Sequence, residues 1–269
     1  MDGFPSPDTR SPAVIDGQTI HIATMGELIT ATVTRLNRGL GFTLFTLNMD
    51  HLVKRRIDAS FRAAYARATF VTADGAPLVW LARRQGVEME RTTGADLLQP
   101  LCAAAAEAGL PVAFFGSRTQ SLETAAIALR RKYPRLEISH IEAPPQGFDP
   151  LSRDAYAAAQ RIARSGARIC FVALGAPKQE FFADRMLRDF PQIGFLGVGA
   201  ALDFVSGDQK RAPLFFQKNG IEWAWRLGAN PIRLAARYFR CATLLADIAF
   251  FQPLQRKILG APVSTSIEG

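Results

Sequence analysis

The chain has 269 residues, of which 48% are hydrophobic, and this length suits one globular α/β domain with or without a small appendage. Its net charge of +8 is uneven, since the segment 210–257 holds nine Lys and Arg residues against two acidic ones. This asymmetry indicates a partner that carries phosphate, either a membrane surface or a nucleic acid. No apolar run of about 18 residues and no secretory signal are recognisable, so we expect neither a spanning helix nor export.

The cysteines and histidines exclude several kinds of site. Cys102, Cys170 and Cys241 lie far apart without metal-ligand spacing, which is typical of small buried side chains in a reducing compartment. The three histidines are also scattered, which argues against a zinc site or a His-based triad.

The first 207 residues alternate between strand and helix patterns. Residues 1–17 are rich in Pro, Ser, Asp and Gly and are predicted to form a flexible tail. The predicted strands, which mostly lack alternation, are 19–23, 42–47, 69–72, 112–115, 136–141, 169–174 and 193–198. The predicted helices are 50–68, 94–108, 120–132, 153–164 and 178–189. This order predicts an α/β fold with a mostly parallel, Rossmann-like sheet between helices, which forms a catalytic domain over residues 18–207.

Residues 208–269 are predicted to form a C-terminal helical appendage. The stretch 213–251 has helical patterns with a break near 228–231. Arg233, Arg237 and Arg240 fall on one helical face at about 100° per residue, and large apolar residues accompany them. One interpretation is a helix that packs on the core with its arginines in water. We favour contact with an anionic membrane, because basic and apolar residues together are typical of interfacial helices.

Glycine and polar residues follow the predicted strands, and ligands bind at the carboxyl ends of strands in open α/β sheets. These residues are Thr46, Asn48, Asp74, Gly116, Gly175, Gly199 and Asp203. Asp74 followed by glycine is by itself a weak signal, since an aspartate there is often a helix cap or a turn residue. The alternative function is that of a general base, which its polar companions favour.

Two further stretches are candidates for substrate binding. Arg91, Gly94 and Asp96 are equally compatible with an ordinary helix N-terminus and with contacts to phosphate and sugar. The stretch Gly175-Ala-Pro-Lys178-Gln179-Glu180 starts a helix with Pro in its first turn, where Lys178 is suited to a diphosphate and Gln179 to a sugar.

Several common cofactor motifs are missing from the sequence. There is no G-x-G-x-x-G after the first strand, no P-loop and no D-x-D element. We therefore predict no cofactor and no metal site. A leaving group is expected to be stabilised by cationic side chains and backbone dipoles.

Six strings resemble a known family when they are taken together and in order. They are Thr46-Leu-Asn48-Met-Asp50-His51-Leu52, Thr72-Ala-Asp74-Gly75, Glu90-Arg91-Thr-Thr-Gly94-Ala-Asp96, Gly175-Ala-Pro-Lys-Gln-Glu180, Gly199-Ala-Ala-Leu-Asp203-Phe204, and Lys210-Arg211-Ala-Pro213 with Gly220-Ile-Glu222-Trp223 and Arg226-Leu227. The chain resembles the WecG/TagA/CpsF glycosyltransferases, glycosyltransferase family 26, over roughly residues 41–238. Within the family it is most similar to exopolysaccharide glucosyltransferases.

The resemblance implies an inverting transferase that uses a UDP-sugar and an undecaprenyl-diphosphate-linked sugar acceptor. It implies a cytoplasmic protein bound peripherally to the inner face of the cytoplasmic membrane. Asp74 corresponds to the family's proposed base, with the Thr46, Asn48 and Gln179 positions close to it. The arginines of the appendage, here Arg226, Arg233 and Arg237, would meet the acceptor diphosphate and the membrane, and we add Lys210, Arg211 and Arg240 to this set.

Other functions are compatible with the sequence. Other branches of the family imply UDP-N-acetylmannosamine or its uronic acid as donor. A nucleic-acid-binding module would use the basic C-terminus, but no known motif appears and the basic residues alternate with large apolar ones. A non-catalytic scaffold would have no need of the polar residues after the strands. A homo-oligomer is compatible with all of these hypotheses.

Overall fold

A computed structural model of the chain describes residues 12–253. Its first elements form a short antiparallel hairpin of β1 (Ala13–Ile15) and β2 (Gln18–Ile20). Residues 13–17, which the sequence predicts as part of a tail, thus belong to this hairpin. The predicted strand at 19–23 corresponds to β2 and does not join the main sheet.

The main sheet has six parallel strands. They are β3 (Phe42–Leu47), β4 (Phe70–Ala73), β5 (Val112–Gly116), β6 (Ile138–Glu142), β7 (Ile169–Ala173) and β8 (Gly194–Gly197). Their order across the sheet is β4-β3-β8-β7-β5-β6, and every neighbouring pair is parallel. All six residues of β3, including Thr43 and Thr46, are buried, as the lack of apolar–polar alternation predicts for a strand covered on both faces.

Helices cover both faces of this sheet. They are α1 (Met25–Asn37), α2 (Met49–Ile57), α3 (Ala59–Ala66), α4 (Ala76–Arg83), α5 (Gly94–Ala108), α6 (Thr119–Lys132), α7 (Arg153–Arg164), α8 (Lys178–Asp189), α9 (Ala201–Ser206), α10 (Leu214–Lys218), α11 (Glu222–Ala229) and α12 (Pro231–Ala246), with a π-helical turn at Asp247–Phe251. Two apolar cores lie on opposite faces, so that Phe114 belongs to one core and Phe115 to the other. The prediction of a Rossmann-like α/β fold is confirmed.

Several predicted helix limits were wrong. The helix predicted at 50–68 is two helices, because Asp58 is extended and its carboxylate accepts a hydrogen bond from the Phe61 N–H at the start of α3. Helices α1, α4 and α9 were not predicted. The C-terminal helical stretch has an additional break at Gly220, where φ is +68°.

The C-terminal helices share the core of the α/β domain. Leu244 of α12 and Ala249 of the π-helical turn are buried in the same apolar core as β3 and α2. The Arg84 side chain also donates to the Ala249 carbonyl oxygen at 2.9 Å. The division into a domain of residues 18–207 and an appendage of residues 208–269 stays a prediction. Residues 1–11 and 254–269, with Arg256 and Lys257, lie outside the described residues.

Candidate active site

The carboxyl ends of β4, β3 and β8 lie side by side at one edge of the sheet, which we call the rim. Asp74 follows β4 directly, Asn48 follows β3, and Gly199 lies two residues beyond β8. The Asp74 N–H donates to the Leu47 carbonyl oxygen at 2.6 Å, which fixes the turn after β4 against the end of β3. The chain reverses its direction across the sheet here. It runs from β3 to β4 on one side and then crosses to β5 on the other side of β3. Such reversals are where open α/β sheets bind ligands.

The Asp74 carboxylate is not used as a helix cap. Gly75, with φ at +127°, is the N-cap of α4, and no side chain caps that helix. Among the described residues, none forms a hydrogen bond with the Asp74 carboxylate. Burial and neighbouring charges set its pKa. The sequence left a capping aspartate and a base as alternatives, and this geometry favours the base.

The environment of Asp74 makes it a better proton acceptor. Burial raises its pKa to about 6, even though the charges of Arg226 and Arg91 lower it, while Glu222 and Asp96 raise it. The side chain is still partly exposed at the rim, so a substrate can reach it. A carboxylate with this pKa is ionised at neutral pH and holds a proton more firmly than an ordinary aspartate.

A network of charged side chains lies beside Asp74. Its members are Arg91, Asp96, Arg211, Glu222 and Arg226. The Arg211 guanidinium lies 2.6 Å from the Asp96 carboxylate and 3.1 Å from that of Glu222. Arg91 lies 3.3 Å from Glu222 and 3.6 Å from Asp96. The network thus joins the start of α5 to the start of α11 across the rim.

Arg226 is the most exposed arginine of this network. Its side chain is 52% exposed and lies 3.9 Å from Glu222, the longest of the five ion pairs. Three guanidinium groups face two carboxylates here, so positive charge is in excess next to Asp74. A phosphate that approaches the rim would therefore find Arg226 the least engaged cation.

Arg237 forms an ion pair that was not predicted from the sequence. Its Nε lies 3.1 Å from an oxygen of Asp50, which also pairs with Lys54. Burial acts to raise the pKa of Asp50, but the hydrogen bond from Lys54 and the charge of Arg237 outweigh it and lower the pKa. In the structure Arg237 therefore docks α12 on α2. Its predicted contact with an acceptor diphosphate stays a prediction.

The remaining predicted cations are spread along the C-terminal segment. Lys210 is exposed in the loop before α10, and Arg240 is exposed on α12, where it borders a shallow groove with Arg56 and Asp247. Arg233 belongs to the first half of α12. The structure does not bring Lys210 or Arg240 into the network beside Asp74, and the predicted role of Arg233 stays a prediction.

Thr46 and Asn48 lie at the end of β3. Thr46 is buried and pairs in register with Thr72 of β4, two residues before Asp74. The Asn48 side chain accepts a hydrogen bond from the His51 N–H at 3.0 Å and so caps α2. Asn48 is thus committed to its own helix through this oxygen, while its backbone stays at the rim.

Lys178, Gln179 and Glu180 begin α8, but only one of them faces outward. Lys178 is exposed, and its ammonium group donates to the Phe148 carbonyl oxygen at 2.8 Å. The Gln179 amide donates to the Glu180 carboxyl group at 2.8 Å and accepts from the Gly199 N–H at 3.1 Å. Lys178 therefore holds a neighbouring loop, and Gln179 holds the loop that follows β8.

The glycines and Asp203 lie around the rim. Gly116 ends β5, and the next residue, Ser117, donates its hydroxyl to Asp203 of α9. Asp203 also accepts from the Gln209 amide at 2.7 Å. Gly94 begins α5 against Val198, because a Cβ at this position would lie 3.0 Å from the Val198 Cα. Gly175 is exposed before α8.

Sequence reasoning missed a buried layer below the rim. The Tyr65 hydroxyl lies 2.6 Å from Nδ1 of His51, and both side chains are buried. Burial raises the pKa of Tyr65 well above its ordinary value, and the charges of Glu180 and Asp74 raise it further. Burial lowers the pKa of His51 to about 3, so its ring is neutral. No sequence motif marks this pair, because its members come from different helices.

Two features of the described residues bear on cofactors and membranes. Among residues 12–253, no three His, Cys, Asp or Glu side chains are grouped so that they could hold a metal ion. No described helix combines the length and the apolar character that crossing a membrane requires. The expectation of a reaction without metal or cofactor stays a prediction.

Comparison with models of known protein families identifies the chain. Residues 13–258 match the glycosyl transferase WecG/TagA/CpsF family. The match extends from β1 beyond the last described helix, so it includes the rim and the C-terminal segment with Glu222 and Arg226. The chain therefore belongs to the WecG/TagA/CpsF family of glycosyltransferases.

Proposed function

We propose that this protein is an inverting hexosyltransferase of exopolysaccharide biosynthesis. It moves glucose from UDP-glucose to a sugar linked to undecaprenyl diphosphate. Membership of the family supports the reaction class. The observation that carries the proposal is the Asp74 carboxylate at the rim, which caps no helix. Its pKa is raised to about 6, and the charges of Arg91 and Arg226 act on it.

Asp74 is suited to the proton transfer that sugar transfer requires. Its carboxylate takes the proton of the acceptor hydroxyl, and the freed oxygen forms a bond to the anomeric carbon of the donor. The bond from this carbon to the β-phosphate oxygen breaks on the opposite face, and UDP leaves with the electron pair. Attack opposite to the leaving group inverts the anomeric centre.

The arginines of the network are suited to the charge that develops on UDP. Arg91 and Arg211 are held in place by Asp96 and Glu222, so their positions are fixed before a substrate binds. Arg226 is more exposed and can turn toward a diphosphate. With these arginines, the charge that develops on UDP would be stabilised without a metal ion.

A lipid-linked acceptor explains the apolar surface of the C-terminal helices. Leu214 and Phe215 of α10 and Ile232 and Phe239 of α12 are exposed, and Ile232 is 97% exposed. Bulky apolar side chains next to basic ones favour the interface of an anionic membrane. The protein would thus lie on the inner face of the cytoplasmic membrane, where its acceptor is anchored.

Two alternative functions receive less support. UDP-N-acetylmannosamine, or its uronic acid, is a donor that would fit the same chemistry. A nucleic-acid-binding function would use exposed cations such as Lys210, Arg226 and Arg240, but it would leave the exposed apolar side chains Ile232 and Phe239 unexplained. No specific observation favours nucleic acid over lipid.

A donor screen tests the proposed function. The full chain is purified in detergent and given single UDP-sugars with a lipid-diphosphate-linked sugar, and the products are weighed by mass spectrometry. We expect the mass of one added hexose with UDP-glucose. An added N-acetylhexosamine or its uronic acid would replace the donor assignment, and no product with any donor would contradict the proposed function.

A further inference from the structure

Glu180 is a carboxyl group in the protein interior without full hydrogen bonding. Its exposed fraction is 0%, and its Oε2 has no hydrogen-bond partner among the described residues. Leaving such an atom unpaired destabilises a folded protein. A methionine or leucine would fill the same space without this cost, so the carboxyl group calls for an explanation beyond packing.

The Gly199 N–H and the other carboxyl oxygen of Glu180 together orient the Gln179 amide. The oxygen of this amide accepts from the Gly199 N–H at 3.1 Å, so the NH₂ group must point the other way, toward an acceptor. Oε1 of Glu180 is that acceptor, at 2.8 Å. A flipped amide would place its NH₂ against the Gly199 N–H and its oxygen against the carboxyl oxygen, and both contacts would be unfavourable.

The loop that follows β8 is built around this amide. Gln179 is only 4% exposed, and a Cβ on Gly197 would lie 2.6 Å from its amide nitrogen. On its other side the same loop packs against the start of α5, where Val198 meets Gly94. Two residues beyond Gly94, Asp96 belongs to the ion-pair network beside Asp74.

We infer that Glu180 is a positioning residue, whose carboxyl group orients the Gln179 amide and thereby holds the β8–α9 loop, and with it the start of α5, in place at the rim. Gln179 acts in this role too, as the link between Glu180 and Gly199. Neither side chain needs to touch a sugar. The effect on sugar transfer rests on the proposed function, whereas the effect on the loop does not.

Two variants of Glu180 test the inference. Glu180→Gln keeps an acceptor oxygen toward Gln179, so we expect turnover within about threefold of wild type. Glu180→Met keeps the volume but removes the acceptor, and we expect kcat to fall about tenfold or more as the amide loses its orientation. Glu123→Met, on an exposed position of α6, is the matched control and should behave as wild type.

Hydrogen exchange of the segment 194–206 separates positioning from general destabilisation. We expect faster exchange of this segment in Glu180→Met and in Gln179→Met, with unchanged exchange in β3 and β5 and little change in the melting temperature. Should Glu180→Met not fold, Gln179→Met provides the same test. Exchange and turnover like wild type in both Met variants, or an equal loss in Glu180→Gln, would overturn the inference. If wild type transfers no sugar, the proposed function fails, but the exchange measurement still decides this one.

Discussion

At the scale of single residues, the environment of Asp74 sets its chemistry. Gly75 starts α4, so the carboxylate beside it stays available at the rim. Burial holds its pKa near 6, and the arginines around it keep the ionised form accessible at neutral pH. The same burial makes the ionised carboxylate costly for the folded protein.

Replacing Asp74 by Asn should therefore lower activity and raise stability together. Without the base we expect kcat to fall about 10²–10⁴-fold. Asp154→Asn, in the exposed first turn of α7, is the control and should retain full turnover. Retained turnover in Asp74→Asn, measured in the donor assay, would show that Asp74 is not the base.

The difference in stability between wild type and Asp74→Asn should depend on pH. For wild type the dependence is opposite to that of a carboxylate whose pKa is lowered on folding. The folded protein holds the Asp74 proton up to about pH 6, but the unfolded chain loses it near its ordinary value of 3.8. Wild type should lose stability as the pH rises between these values, by at most about 3 kcal/mol, since partial exposure reduces the effect. Thermal melting should find Asp74→Asn the more stable protein at pH 7.5 and the two alike below pH 4. A less stable variant at pH 7.5 would contradict the raised pKa.

The pH dependence of transfer follows from the same pKa. Only ionised Asp74 accepts a proton, so kcat/KM should rise with pH up to about 6 and then level off. Below pH 6 we expect about a tenfold fall per pH unit. A profile without this acid limb would indicate a different base.

At the scale of elements, one carboxylate holds α11 at the rim. Glu222 accepts from Arg91 and Arg211, and its side chain is largely buried. The charge of Glu222 also raises the pKa of Asp74. Docking of α11 and the basicity of Asp74 are thus coupled through a single side chain.

Glu222→Gln should loosen this docking. Among the described residues, Asp96 would then be the carboxylate that Arg91 and Arg211 share, and we expect a loss of about 1–3 kcal/mol in the free energy of unfolding. The acid limb of kcat/KM should move to lower pH, because a charge that raises the pKa of Asp74 is gone. Glu88→Gln, whose partner Arg83 is also exposed, is the control and should change stability by about 0.5 kcal/mol or less. An unchanged acid limb would mean that Glu222 does not influence the base.

At the scale of the whole molecule, α12 has one side on the domain and another in solvent. Arg237 and Leu244 face the domain, through Asp50 and the apolar core. Ile232 and Phe239, seven residues apart, share an exposed face. A membrane would cover that face while α11 stays over the rim.

Removing this apolar face should weaken membrane binding. We expect the double variant Ile232→Ser and Phe239→Ser to bind phosphatidylglycerol vesicles at least about tenfold less tightly than wild type, since burying large apolar side chains is favourable. Ile127→Ser with Leu151→Ser removes two other exposed apolar side chains, outside α12, and should bind as wild type. Co-sedimentation with these vesicles measures the binding. Equal losses in both double variants, or wild-type binding in the first, would contradict the membrane face.

The sequence by itself determined the fold class and which residues follow the strands at the rim. Continuous apolar runs and their alternation with helical patterns are local, so the parallel sheet and the position of Asp74 after β4 followed from them. It did not separate α2 from α3, because the capping hydrogen bond of Asp58 is a detail of one turn. It also missed α1, α4 and α9. Helix α9 has only six residues, but α1 does carry a helical pattern, since Leu28, Thr32 and Leu36 recur every four residues on its buried face.

Only the tertiary structure decided which charges meet. Arg211 and Arg237 are expected from the sequence to be cations for a diphosphate, but folding pairs Arg211 with Asp96, which is 115 positions earlier, and Arg237 with Asp50. Folding likewise brings Tyr65 to His51 and the Gln179 amide to Gly199. Hydrophobic periodicity is a property of neighbouring residues, whereas ion pairs and buried hydrogen bonds depend on distances that exist only after the chain has folded.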